Sequence, residues 1–184
     1  MSTKYIRNLV IFILVALVYA NTCFLDYALD DRLVIFENDY TVKGFDGVKD
    51  VLTKDSFSGY FGHEKKLVAG GRYRPLAQLT FILEYEIFGQ KVKENAGLNR
   101  APQNEELFTD SALPFISHFV NILLYALLCM LIYNVLKRIF ARYDDPRWYL
   151  SLPFLAALLF ALHPLHTEAV ANIKGRDEIL SMLG

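Results

Sequence analysis

The sequence predicts an all-α polytopic membrane protein. Three features lead there. Apolar residues are gathered into long blocks, those blocks carry almost no formal charge, and basic residues flank them on alternate sides. Hydrophobic residues are 54% of the 184 and mean hydropathy is +0.26, so the arrangement of the residues says more than their number.

Crossing about 30 Å of hydrocarbon takes about 20 mostly apolar residues. The first block, 6–25, is uncharged from Leu9 onward; the second, 113–136, has no formal charge. The third, 148–162, is short and extends to 164 through His163 and Pro164. Lys4 and Arg7 precede the first block, and Lys137, Arg138, Arg142 and Arg147 fill the link between the second and third. Basic residues in short flanks stay cytoplasmic. The chain therefore divides into a first span, 1–25; an extracytoplasmic loop, 26–112; a second span, 113–136; a cytoplasmic link, 137–147; a third span, 148–164; and an outer rim, 165–184. A competing reading makes the first block a signal peptide, with Lys4 and Arg7 as its basic region and Val18-Tyr19-Ala20 as a cleavage site. Ile179, Leu180, Met182 and Leu183 begin another apolar run that Gly184 cuts off, so the chain reads as the amino-terminal part of something longer.

The net charge of −1 gives no reason to expect nucleic acid. Cys23 and Cys129 both lie in apolar runs, away from other ligand types, and read as small hydrophobes. The loop 26–112 is too long and patterned for a plain connector. Phe45, Val48, Val51 and Leu52 recur at helical spacing, and 54–62 reads as an ordered loop. The stretch 69–75 is a basic, glycine-bearing turn, and Pro75 suits the first position of a helix. The helix expected over 76–88 is too short to span and carries Gln78, Glu84 and Glu86, so it should lie in the interface or dock on the bundle. The polar stretch 90–110 reads as loop.

Three groups of residues can carry chemistry. Asp30-Asp31 lies where the first span leaves the membrane; coupled carboxylates there raise at least one pKa, as a general base requires. The alternative is a helix cap, or an ion pair with Arg32. Arg72 and Arg74 suit phosphate oxygens, or simply anionic lipid. His163, His166 and Glu168 end the third span; Pro164 breaks their common face and no fourth ligand is evident, so no metal is expected and they read as a polar rim with Lys174, Arg176, Asp177 and Glu178.

Taken together, these motifs resemble the amino-terminal region of the GT-C membrane glycosyltransferases. Within that superfamily the chain is most similar to the transmembrane-and-tetratricopeptide-repeat O-mannosyltransferases, in their bacterial form. The resemblance runs through Asp30-Asp31, Arg72-Tyr73-Arg74-Pro75-Leu76, Ser117-His118-Phe119-Val120-Asn121, His163-Pro164-Leu165-His166-Thr167-Glu168 and Gly175-Arg176-Asp177-Glu178. It implies a GT-C-type helical bundle, a polyprenyl-phosphate-linked sugar as donor, inversion at the sugar carbon, and a hydroxyl acceptor on protein or glycolipid. It implies no cofactor. It also implies Asp30 and Asp31 as the catalytic pair, Asp30 as base with Asp31 orienting the acceptor or the two in exchanged roles, and Arg72, Arg74, His163 and Arg176 as donor-phosphate residues, with His166, Glu168 and Asp177 around the rim. The expected site is the outer face of the cytoplasmic (inner) membrane. The superfamily has further spans and this family a repeat domain that the chain lacks, so this stretch alone is expected to be inactive. A glycolipid-modifying transferase and a non-catalytic membrane scaffold are the rival readings.

Overall fold

The computed structural model describes residues 3–28, 30–62, 73–89, 92, 111–141 and 147–184. Among these residues every regular element is helical.

Two of the described helices are long and apolar enough to cross a membrane. The first, α1 (Thr3–Tyr19), continues into a tighter turn at Ala20–Phe24. Its partner, predicted over 113–136, runs slightly further, as the 27-residue Leu113–Ile139. That helix, α7, begins with Pro114, whose missing N–H costs nothing in a first turn, and ends on Lys137 and Arg138, which complement the terminal carbonyls. The two helices pack through Ile11, Val15 and Tyr19 against Ile122, Tyr125, Ala126 and Cys129. Asn134 donates to Asn8 across them at 3.2 Å.

The stretch expected as a third span has a different form. Trp148–Leu150 is a single tight turn, Ser151 is extended, and only the ten residues Leu152–Ala161 form helix α8, about 15 Å long. Pro153 starts this helix, and the chain leaves it just before Pro164. Phe154 meets Tyr133 edge-on at 6.2 Å, and Ala157 is fully buried. Tyr19 and Tyr125 each donate to the Ala161 carbonyl at 3.2 Å, satisfying a group that the helix end leaves unpaired. The outward faces of all three helices are apolar. Leu9, Ile13 and Leu17 are exposed on α1, Phe119, Leu127 and Leu131 on α7, and Leu152, Leu155 and Leu159 on α8.

A second layer covers the start of α7. Short helices α2 (Asp31–Val34), α3 (Asp39–Val42), α4 (Val48–Thr53) and α5 (Ser58–Phe61) wrap one flank of α6 (Pro75–Phe88). The helix expected over 45–52 is a tight turn at Gly44–Gly47 leading into α4. Asn38 is fully buried and joins the layer: its amide donates to Leu33 and Ser56 carbonyls, while its oxygen accepts from Tyr40 N–H and the Gln78 amide. Gly59 lies against it so closely that a Cβ would come within 2.2 Å of the Asn38 oxygen.

Helix α6 starts at Pro75, as the sequence predicts, and docks on the bundle with its polar side inward. Gln78 and Glu84 are buried, while Leu76, Leu83 and Ile87 are exposed. After α8, helix α9 (His166–Ala171) and a turn at Ile173–Gly175 lead into α10 (Arg176–Leu183), which packs on both α7 and α6. Gly175 passes so near Ala169 that a Cβ would sit 2.6 Å from the Ala169 carbonyl oxygen. Of the stretch expected as loop over 90–110, only Val92 lies among the described residues.

Candidate functional site

The acidic pair divides into two unlike carboxylates. Asp31, at the start of α2, is fully buried. One of its oxygens accepts from Ala28 N–H and the other from Lys174 N–H, both at 2.8 Å. Burial raises its pKa, the backbone N–H groups of Ala28, Lys174 and Ile173 pull it back, and the charge of Asp30 adds a lesser upward push. Desolvation rather than coupling therefore dominates. With both oxygens on backbone, Asp31 ties the segment that follows α1 to the turn before α10. Its carboxylate is engaged by amides rather than held ready for an acceptor.

Asp30 is the accessible member. Its side chain is 51% exposed, and one oxygen accepts from the Lys174 ammonium at 2.7 Å. Arg32, the alternative partner in the sequence, pairs with Glu37 instead. One residue, Lys174, thus meets both aspartates, Asp31 through its backbone and Asp30 through its side chain.

Beside this pair is a cleft between α2, α6 and the start of α10. Its walls include Val34, Ser56, Phe57, Arg74, Gln78, Phe81, Lys174 and Asp177. The Arg74 guanidinium donates to Asp177. Lys174 lies 6.0 Å from the centre of the Phe57 ring. Gln78 is 2% exposed, and with its amide on Asn38 its carbonyl oxygen has no partner among the described residues. A larger and more open groove continues from Arg74 and Asp177 along Leu76, Leu180 and Ser181.

Arg176, expected to face the donor phosphate, is fully buried instead. Its Nε donates to Asn121 at 2.7 Å; one terminal nitrogen serves Thr80 at 2.7 Å and Glu84 at 2.5 Å, and the other serves the Ser117 carbonyl at 2.9 Å. The guanidinium also sits 4.4 Å from the centre of the Phe81 ring. Burial works against its charge, and Glu84 is the strongest influence holding it. Ser117 passes the network on, donating to Glu84 at 2.5 Å with the Tyr27 hydroxyl 3.5 Å away. The Ser117 and Asn121 positions of the second-span motif are therefore the seat of Arg176. Such a guanidinium has too few open donors to take a phosphate and instead locks α6, α7 and α10 together.

The histidines lie elsewhere. His166 packs 4.2 Å from the Phe160 ring and 5.8 Å from Tyr125, with His163 at 5.8 Å; neither histidine lines the cleft. His163 is exposed and accepts from Leu165 N–H at 3.3 Å, and Glu168 is exposed on α9. Among the described residues no three metal-ligating side chains converge. Arg72 lies outside the described residues. Of the expected site residues, the structure brings together Asp30, Asp31, Arg74 and Asp177. It adds Lys174 and Gln78, visible in the sequence as a rim lysine and a polar residue in an apolar helix but not as members of a site.

Comparison with known proteins decides the family. Protein O-mannosyl-transferase F38B6.6 of Caenorhabditis elegans is 31% identical over 180 residues, 95% of this chain and 21% of its own length. The chain belongs to the family of protein O-mannosyl-transferases. Human protein O-mannosyl-transferase TMTC1 is 37% identical over 112 residues, 60% of the chain, and human TMTC2 is 31% identical over 167, 88% of the chain. The chain spans 21%, 9% and 15% of these three curated relatives. These three relatives come from animals and lend no support to a bacterial form. No family model matches the chain. No solved structure matches it.

Proposed function

We propose that this chain is a membrane-embedded part of an enzyme that transfers mannose from a polyprenyl-phosphate carrier to a protein Ser or Thr hydroxyl, inverting the sugar carbon. The observation that carries the proposal is the meeting of Asp30 with Lys174, 144 residues away, at the edge of a cleft that also holds Arg74. Such a transfer needs a base for the acceptor proton and cations for the departing phosphate, and these groups supply both kinds. The names of the relatives support the sugar and the protein acceptor.

In this reading Asp30 is the base. The acceptor oxygen bonds to the sugar's anomeric carbon as its proton passes to the Asp30 carboxylate, and the bond from that carbon to the phosphate oxygen breaks. The phosphate leaves with its lipid and its negative charge. Attack opposite the leaving group inverts the carbon. Asp31 is a positioning residue, acting through the backbone of Ala28 and Lys174. Arg74 meets the phosphate, and the exposed Leu, Ile and Phe faces of α1, α7 and α8 lie in lipid, with the amino terminus cytoplasmic and the cleft on the opposite side.

The test uses the full-length protein in membranes supplied with radiolabelled polyprenyl-phosphate mannose, with label counted separately in protein and lipid. Label in protein that disappears with Asp30→Asn is the expected result. Label unchanged in the Asp30→Asn, Asp31→Asn double variant would overturn the base, and label confined to lipid would favour a glycolipid acceptor.

A further inference from the structure

We propose that the end of the bundle bearing the start of α1 binds the head group of an anionic phospholipid, held by Lys137 and Arg138 at the end of α7. From the reading above the proposal takes only that α1, α7 and α8 lie in lipid. It needs neither the base nor the sugar donor.

Three observations carry it. The first is convergence. Asn8 of α1 and Asn134 of α7 share a hydrogen bond at 3.2 Å. Lys137 and Arg138 follow Asn134 by three and four residues, so the helical register puts both on its side of α7. Arg7, next to Asn8, brings the positive charge of α1 to the same place. The second is charge without a counter-charge. Among the described residues, neither Lys137 nor Arg138 meets an acidic group. The link 137–147 holds four basic residues and two acidic ones, so its own sequence leaves it positive.

The third is depth. Leu127, Leu131 and Val135 are exposed on α7, and the exposed Arg138 continues their stripe at helical spacing. Leu127 lies near the middle of the helix. From there to Arg138 the helix rises about 16 Å, against about 15 Å for half the hydrocarbon. A phospholipid whose acyl chain follows this stripe therefore has its phosphate at the level of Arg138. The aromatic rings mark the same depth. Trp148 meets Phe154 edge-on at 5.0 Å, and Phe154 meets Tyr133, one turn before Lys137. Tyr149, beside Trp148, is 51% exposed, and such rings prefer the head-group region.

The occupant follows from charge. A choline head group carries its own cation beside the phosphate, whereas an anionic head group leaves net negative charge for Lys137 and Arg138 to meet. Arg138 offers a planar fork to the phosphate oxygens and Lys137 a point charge.

The experiment places the full-length protein in vesicles of phosphatidylcholine and phosphatidylserine, extracts it in mild detergent, and quantifies the retained lipids by mass spectrometry. Wild type is expected to retain phosphatidylserine above its share of the vesicle, less so as salt rises. The double variant Lys137→Gln, Arg138→Gln should lower that preference by about ten-fold or more, at about five-fold for each charge. The exchange Lys137→Arg, Arg138→Lys keeps both charges and should keep the preference. Lys49→Gln removes an exposed charge from α4 instead, and should leave the preference unchanged. Equal retention of both lipids by wild type, or a double variant that behaves like wild type, overturns the site. A loss as large in Lys49→Gln overturns it too, because net charge would then explain the preference. Release of the protein from the vesicles by alkaline carbonate overturns the membrane reading and this site with it. Protein that stays in the vesicles without preferring phosphatidylserine overturns the site alone. The preference in a protein that transfers no mannose leaves the site standing while the transferase reading fails.

Discussion

Arg176 and Glu84, 92 residues apart in sequence, form an ion pair at 2.5 Å in which the arginine side chain has no solvent exposure and the glutamate 9%. The pair joins the last helix, α10, to α6, and through Ser117 and Asn121 to α7. Removing one partner leaves the other's charge buried. Glu84→Gln is therefore expected to destabilise the protein by about 3–5 kcal/mol, whereas replacing both with Leu and Met recovers much of that loss. Denaturant titration of the full-length protein in detergent checks this. A double variant as unstable as the single one would show that the network does more than balance charge.

Asp30 and Asp31 should separate in their effects. Asp31→Asn leaves at least one backbone N–H facing another N–H, and a loss of about 1–3 kcal/mol is expected. Asp30→Asn removes only a half-exposed ion pair, worth about 0–1 kcal/mol, yet should lower mannosyl transfer by about 100-fold or more if the carboxylate takes the proton. Thermal melting beside the transfer assay distinguishes the two. Equal destabilisation by both variants would contradict the difference in burial.

The raised pKa of Asp31 also has a sign. Its folded value lies above the ordinary 3.8, so the folded state holds the proton more tightly, and the associated stability is present below 3.8 and is lost as pH rises through the folded value. Asp31→Asn does not titrate. Its deficit relative to wild type should be largest in acid and narrow as pH rises across that window. Melting midpoints measured from acid towards neutral pH test this; a deficit that widens with pH would contradict the dominance of burial.

Gly175 has no room for a side chain. A Cβ would sit 2.6 Å from the Ala169 carbonyl oxygen and 2.8 Å from its Cα, both backbone atoms that cannot rotate aside. Gly175→Ala should cost about 1–3 kcal/mol. Because Gly175 lies between Lys174 and Arg176, transfer should fall more steeply than stability alone explains. Gly62→Ala provides the control: its added Cβ meets nothing within 4 Å, and the φ of 73° alone makes it cost stability, by about 1–2 kcal/mol. Equal losses of transfer in the two variants would mean that destabilisation, not displacement of Lys174, accounts for the effect.

Local and regional features were legible in the sequence. The two long apolar helices follow from uncharged runs, the start of α6 from Pro75, and the position of the acidic pair from the end of the first apolar block. Long-range partners were not. Arg176 reads as a rim cation until Ser117, Asn121, Thr80 and Glu84 are known to surround it, and these come from two other helices. Lys174 reads as one member of the polar rim, and nothing near it in sequence reveals Asp30. The third apolar block misleads for a local reason: its composition is that of a span, but extended Ser151 ahead of Pro153 and the exit at Pro164 leave only ten helical residues. The polar side of α6 is visible as Gln78 and Glu84, yet only packing tells whether such groups face water or a neighbour.

The tie from Asp31 to the Lys174 backbone has a consequence for how the chain is made. During synthesis the aspartates emerge long before residue 174 exists, and until then Asp31 has no amide there to accept from. Lys174 arrives late, so the proposed base and the cation that answers it are never assembled in a shorter nascent chain. A ribosome paused partway would hold an unarmed loop, and the site could form only after α7 and α8 had taken their places beside α1.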